Sequence, residues 1–292
     1  MPAAFPDGDE FFCEWLTPDS AAVFRRGTKL EDITTPFQRL EVYDSPEFGR
    51  LFRLDGCNMT SERDEFFYHE NIVHVAALAQ EYPRKAFIVG GGDGGAAEEL
   101  LKHPTIEHVV VAELDAEVVR IARQYFSSVH RGALDDPRVD VRIGDGASAL
   151  RSASERYDIV VMDLTDPVGP AEALYSADFF REAARVLSPT GVLALHVGSP
   201  FFHRERFVDT SARLASVFPL VRHYFVHVPL YGANWGMAFA SQVTDVTRLS
   251  AKELDERIRI RGIGELQYIN GDVVRAGLAL PEYVKAMLAA KA

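Results

Sequence analysis

The sequence predicts an α/β protein, with a mostly parallel sheet carrying helices on both faces and a small antiparallel β domain in front of it. Three observations predict it. Past residue 66, short apolar runs alternate with helix-like segments, the rhythm of βαβ units. Those runs are almost wholly apolar, which fits strands buried on both faces. Before residue 66 the chain reads instead as short β-like stretches separated by turn signals. The division places an antiparallel β domain at residues 1–66 and the α/β domain at residues 67–292.

In the first part, Phe37 to Tyr43 alternates apolar and polar residues, as a half-buried strand does. Asp44 to Gly49 is a turn, Arg50 to Leu54 a return strand, and Asp55-Gly56 a hairpin dipeptide. In the second part, Ala86 to Val89 is a strand running into glycines, and Ala96 to His103 is helical. His108 to Ala112 is a β-branched strand, followed by a helix over Ala116 to Phe126. Val139 to Ile143 and Tyr157 to Met162 are strands, the second ending at Asp163. A helix over Phe179 to Leu187 leads to a strand over Gly191 to Val197. Val221 to Val228 and Met237 to Ser241 are expected as late antiparallel strands, and residues 251–260 and 281–290 as helices.

The 292 residues carry 31 Lys+Arg against 43 Asp+Glu, a formal net charge of −12, and 47% of them are hydrophobic. Such a chain can bury a sizeable core, which excludes intrinsic disorder. The negative balance argues against nucleic acid and against an anionic membrane surface, both of which want a basic face. No apolar run reaches the roughly 18 residues of a transmembrane helix. The opening MPAAFPDGDEFF is acidic and lacks the basic-then-apolar pattern of a signal peptide. Cys13 and Cys57 are too few for a disulfide framework or a cysteine-rich zinc site. A reduced, cytoplasmic protein is expected.

Four stretches carry chemistry. Gly90 to Gly95 joins a strand to a helix, where glycines let the backbone approach a ligand and the helix N-terminus favours polar groups. Gly90, Gly92 and Gly95 also satisfy the dinucleotide spacing, and Glu113 ends the next strand, in place to bond ribose hydroxyls. This fits NAD(P) or an adenosylmethionine-type nucleoside better than a plain turn. Asp93, inside the loop, would repel a pyrophosphate and attract an ammonium, unless it is a solvated turn residue. Asp145-Gly146 follows a strand; Asp145 can accept from an adenine amino group or simply make a strand-end turn. Asp163 to Pro170 follows the strand over Tyr157 to Met162, so Asp163 and Asp166 face the crevice beyond the strand ends. With Asp93 they make a strongly acidic pocket, able to hold a dication and to take a proton from an amine. A metal site is the second reading, and an Asx-type turn before proline the third. Tyr68 and His69 either line this pocket or pack at a helix start.

Together these residues resemble the polyamine aminopropyltransferases, or spermidine synthases. The resemblance runs from about Gln38 to Tyr283. It is carried by Glu62 to Glu65 with Tyr68-His69-Glu70, by Gly90 to Gly95, by Ala112 to Asp115, by Asp145-Gly146 and by Asp163 to Glu172, with a late stretch from Leu266 to Asn270 through Leu280-Pro281. It implies a Rossmann-like, methyltransferase-type domain with a mostly parallel seven-stranded sheet. It also implies transfer of the aminopropyl group of decarboxylated S-adenosylmethionine to an amine, usually putrescine, releasing methylthioadenosine, with no metal or redox cofactor and as a homodimer or homotetramer.

By the same resemblance, Gln38 and Glu113 hold the ribose. Asp145 and Gly146 meet the adenine, with Pro170 nearby. Asp93 holds the aminopropyl ammonium. Asp163 accepts the proton, and Asp163 and Asp166 hold the polyamine with Tyr68, His69 and Tyr231. The chain departs from the family at Cys57-Asn58-Met59, at Val274 and Leu278, and at Gly232 to Gly236. The last of these looks more like the longer-chain branch, so the acceptor stays open between putrescine, spermidine, agmatine and cadaverine. A methyltransferase, a non-catalytic polyamine or nucleoside sensor and an NAD-dependent dehydrogenase are the competing classes.

Overall fold

Two small β units come first in the computed structural model, which describes residues 11–167 and 169–290. Strands β1 (Phe11–Thr17) and β2 (Ser20–Arg25) form an antiparallel hairpin. Strands β3 (Thr28–Thr34), β4 (Arg39–Ser45), β5 (Gly49–Leu54) and β6 (Cys57–Ser61) form a four-stranded antiparallel sheet. The expected hairpin at Asp55-Gly56 joins β5 to β6. The strand expected from Phe37 begins instead at Arg39, because the Thr35 hydroxyl accepts from the backbone N–H of Phe37 and of Gln38 and holds a bend there. Nor is β4 half-buried, since Leu40 to Tyr43 are all inaccessible. Leu40 and Val42 pack under the helices that follow β8, while Tyr43 meets Phe12 of the hairpin edge-on at 4.7 Å.

Helix α1 (Glu65–Ala79) leads into the main sheet. The order is then β7 (Lys85–Gly90), α2 (Gly95–Leu101), β8 (His108–Glu113), α3 (Ala116–Tyr125), α4 (Ser127–His130), β9 (Val139–Ile143), α5 (Gly146–Ser152) and β10 (Tyr157–Asp163). Next come α6 (Ala177–Val186), β11 (Leu187–Gly198), α7 (Arg204–Ala215), β12 (Leu220–Val228) and β13 (Ala233–Ser241). Helices α8 (Ala251–Arg261), α9 (Gly271–Gly277) and α10 (Glu282–Ala289) close the chain. The seven strands lie in the order β12-β13-β11-β10-β7-β8-β9, and β13 runs antiparallel to both neighbours. This is the mostly parallel seven-stranded sheet expected. Two strands begin four residues earlier than expected: β11 at Leu187, where a helix was expected to end, and β13 at Ala233, ahead of Met237.

Alternate residues of each strand feed two cores. Ala86 and Ile88 face α1 and α2, whereas Phe87 and Val89 face α5, α6 and α7. Among the described residues no helix is long and apolar enough to cross a membrane. Both cysteines are free and exposed.

Helix α1 is buried almost all round, so its polar side chains must find partners inside the protein. Glu70, wholly inaccessible, accepts from the backbone N–H groups of Gln267, Tyr268 and Ile269 at 2.7, 2.9 and 2.8 Å. It pins the segment between α8 and α9 to the back of the site helix. Glu70→Ala leaves those donors unmatched and is expected to cost about 3 kcal/mol or more. Urea unfolding checks this, and an unchanged midpoint would show that the segment is held by something else.

Candidate active site

Strands β7 and β10 are neighbours in the sheet but not in sequence, which opens a crevice at their carboxyl ends. Their last pair is Gly90 opposite Asp163, and the Gly91 N–H donates to the Asp163 carbonyl at 2.9 Å. The glycine loop then turns into α2. A Cβ on Gly95 would lie 2.3 Å from the His69 ring, so glycine at that position is what lets the imidazole in. Asp93 is no solvated turn residue. Its side chain is 16% exposed, Oδ1 accepts from the Gly95 N–H at 3.0 Å, and Oδ2 lies 3.5 Å from His69 Nε2.

His69 is the centre of this arrangement. One turn earlier on α1, Glu65 Oε2 meets its Nδ1 at 2.8 Å. Its Nε2 faces Asp93 and, at 3.9 Å, Asp163 Oδ2. Burial opposes a charge on the ring, but Asp93 and Glu65 outweigh it and hold the imidazole well above its ordinary pKa. The two aspartates part company. Burial, and then Asp93, push the Asp163 carboxyl up to about 7 against the pull of His69 and Tyr68. Burial also works against charge on Asp93, yet His69 and the Gly95 N–H win and lower it. Asp163 Oδ2 is buried without a hydrogen-bond partner, and so is the Tyr68 hydroxyl. His69, Asp93 and Asp163 offer ligand atoms within 4.8 Å of one another, the spacing of a cation site. A metal ion would have to displace the His69 proton, whereas an ammonium would not.

Tyr68 and Tyr231 stand edge-to-face at 6.1 Å beside this cluster. Tyr231 sits in the turn Pro229–Tyr231, which Asp64, at the start of α1, fixes by accepting from the Leu230 N–H at 2.7 Å. The Tyr231 hydroxyl donates to the Met59 carbonyl at 2.9 Å. Asp166 is not a bare acid: Arg206 of α7 pairs with its Oδ2 at 2.6 Å. With His69 also held as a cation, the strongly acidic pocket expected from the sequence is corrected to one whose acids are largely matched.

Four further residues were not assigned from the sequence. His196 of β11 accepts from the Trp235 indole at Nδ1 (3.3 Å), so its Nε2 carries the proton and donates to the Leu164 carbonyl at 2.9 Å. The Tyr175 hydroxyl, 2.7 Å from that Nε2, donates to the Thr165 carbonyl at 3.3 Å. These two side chains hold the backbone between Asp163 and Asp166. Glu14 of β1 accepts from the Asn58 N–H at 2.9 Å, and burial raises it to about 7, with Asp166 adding to the rise. Glu65 was legible as the residue one turn before His69, and His196 as the lone polar residue of the run from Gly191 to Val197. Glu14 and Tyr175 gave no local signal.

On the other side of the glycine loop, Glu113 Oε2 accepts from the Gly92 N–H at 3.2 Å and Oε1 from the Asp115 N–H at 2.9 Å, leaving a lone pair on each oxygen. Burial raises its carboxyl to about 7. Gln38 donates to Asp115 Oδ2 at 3.3 Å, which puts it near Glu113. Asp145 caps α5, accepting from the Ala147 N–H at 3.0 Å and the Ser148 hydroxyl at 2.6 Å. Gly146 is required by packing, since a Cβ there would lie 2.8 Å from Val89 Cγ1. Pro170 is in the 3-10 turn Gly169–Tyr175, and its side chain lies outside the described residues.

Comparison with known proteins agrees with this geometry. The family model described as the spermine/spermidine synthase domain matches residues 65–250. A polyamine aminopropyltransferase of Nitrosomonas europaea is 45% identical over 280 residues, covering 96% of this chain and 86% of its own. Polyamine aminopropyltransferase 1 of Pseudomonas aeruginosa is 36% identical over 256 residues, covering 87% of this chain and 89% of its own. A spermidine synthase crystallised with the transition-state analogue AdoDATO superposes with a TM-score of 0.91 at 32% identity, covering 98% of this chain and 97% of its own. The spermidine synthase of Thermotoga maritima gives 0.88 at 32% identity, with 96% and 94% covered. The chain belongs to the spermine/spermidine synthase family and is an aminopropyltransferase.

Proposed function

We propose that the chain transfers the aminopropyl group of decarboxylated S-adenosylmethionine to putrescine, giving spermidine and methylthioadenosine. The observation that carries this is the buried trio His69, Asp93 and Asp163, in which one carboxylate is fixed as a charge and the other is poised near neutrality with an unpartnered oxygen. The sulfonium makes the attached carbon electrophilic. The amine lone pair forms the new C–N bond, the C–S electron pair leaves on sulfur, and the proton shed by the nitrogen goes to Asp163. Asp93 takes the donor's ammonium; Gln38 and Glu113 take the ribose, and Asp145 and Gly146 border the adenine. Tyr68, His69 and Tyr231 wall the acceptor, whose far ammonium reaches Asp166 and Glu14. Holding donor and acceptor in line supplies much of the rate.

Incubation with decarboxylated S-adenosylmethionine and a panel of putrescine, spermidine, agmatine and cadaverine, with products identified by mass, tests the reading. Spermidine and methylthioadenosine are expected with putrescine. No methylthioadenosine with any amine would overturn it in favour of a sensor.

Asp163→Asn removes the proton acceptor without changing shape, and is expected to lower kcat by about 10³-fold while nucleoside binding survives. The same substitution stabilises the free protein. Burial raises the Asp163 pKa on folding, so its ionised form destabilises the fold increasingly as pH climbs from the ordinary carboxylate range to about 7. The Tm advantage of Asp163→Asn therefore grows with pH over that window and levels off above it, and thermal scans across pH check it. An equal or lower Tm at the alkaline end would contradict a charge whose burial outweighs the pull of His69.

Because Asp163 must be ionised to accept a proton, kcat/KM for the acceptor rises with pH and bends near pH 7. Asp163→Asn loses the bend and keeps only the slope from amine deprotonation. A bend surviving in that variant would assign it to another group.

Asp93→Asn weakens the donor ammonium site and narrows the preference for decarboxylated over intact S-adenosylmethionine, by about tenfold in a competition assay. Unchanged preference would remove Asp93 from donor selection.

A further inference from the structure

Beside the proposed acceptor site, three elements from distant parts of the sequence bring charge together. Glu14 comes from β1, Asp166 from the loop after β10, and Arg206 from the first turns of α7. The Arg206–Asp166 pair is 2.6 Å apart, and both side chains are about two-thirds buried. Asp166 spends only one oxygen on it. Its Oδ1 is buried without a hydrogen-bond partner, and so is Arg206 Nη1, so the pair is a contact of charges rather than a hydrogen bond. Three residues before Arg206, His203 ties α7 to the hairpin through Nε2 and the Leu16 carbonyl at 2.9 Å.

An incoming ammonium and the Arg206 guanidinium therefore meet at the same carboxylate. A diamine brings one distal charge, which Glu14 and the spare Asp166 oxygen can share. A triamine brings a second, and in the free chain the acid it needs is already matched. A fixed cation near a cationic ligand acts by repulsion, which is how sites discriminate between ligands that offer the same attractive contacts. Resting on the aminopropyl-transfer reading above, we propose that Arg206 is an acceptor-selecting residue: a built-in counter-cation on Asp166 that favours diamines over longer, more highly charged polyamines.

The test compares kcat/KM for putrescine and for spermidine as acceptors in the wild type, Arg206→Met and Arg206→Gln. Both variants remove the charge. One keeps the apolar stem and the other keeps a polar head, so if one fails to fold the other still answers. The spermidine-to-putrescine ratio is expected to rise about tenfold in both, the scale of one charge at a partly exposed site. Raised salt should shrink the difference between wild type and variants, because it screens the charge. A ratio within about twofold of wild type in the folded variants would overturn the proposal, as would a rise in Arg206→Met alone, which would point to bulk rather than charge. Wild-type protein that releases no methylthioadenosine with any amine would instead fell the aminopropyl-transfer reading, and this inference with it.

Discussion

The pairing of Gly90 with Asp163, where β7 and β10 end side by side, is the constraint on which the rest of the site depends. It sets the Asp163 carbonyl against the Gly91 N–H and so leaves the carboxylate free to enter the crevice. The loop that continues from Gly90 delivers Asp93 three residues later. Helix α1 crosses above, and Gly95 has room for the His69 ring. A slip of one residue between β7 and β10 would turn Asp163 to the other face of the sheet and separate the trio. The apolar runs on both strands, buried on two faces, guard that register.

Charge in the site is matched more closely than the count of acids suggests. His69 is kept as a cation by Glu65 and Asp93, Arg206 sits on Asp166, and Asp163, Glu14 and Glu113 are each raised to about 7 by burial. Several bare carboxylates in one cavity would repel one another and forgo hydration, at a cost no ordinary fold absorbs easily. Protons and two side-chain cations hold the charge down in the free protein. A cationic ligand takes over that role, so its binding is linked to proton release and to competition with Arg206.

Much of this was legible in the sequence, and what was not has a physical reason. The strands of the main sheet announce themselves because doubly buried strands are nearly pure apolar runs, as at Ala86 to Val89 and Tyr157 to Met162. Asp93 and Asp163 are legible because each stands just beyond such a run. The β1–β2 hairpin is not: its burial comes from Phe12 against Tyr43, a contact made by a sheet elsewhere in the chain. The even burial of β4 has the same origin, since helices on one side and the hairpin on the other cover residues that alternate in the sequence. Arg206 is the sharpest case. Its partner is Asp166, forty residues earlier, and local sequence carries no trace of a pair formed only when α7 docks beside β11. Asp145 and Gly146 show the converse, a motif legible as nucleoside-binding whose residues also have structural work as a helix cap and a packing contact.

The division of labour between Asp93 and Asp163 shows why residue type alone could not assign roles. Both are buried aspartates beside the same imidazole, and in the sequence both simply follow a strand. Their surroundings push them apart. Asp93 has a backbone donor on one oxygen and the nearer approach of His69 on the other, which keeps it ionised. Asp163 has the more distant His69, an unpartnered Oδ2 and the repulsion of Asp93, which bring its affinity for a proton to near neutrality. A permanent charge suits holding an ammonium, and a group that changes charge near neutral pH suits receiving a proton, so the pair supports one holder and one acceptor. The asymmetry arises from a single Gly95 N–H and a few tenths of an ångström at His69. It also makes the acceptor's reactivity and its instability the same property, because the burial that raises Asp163 is what disfavours its charge in the folded protein.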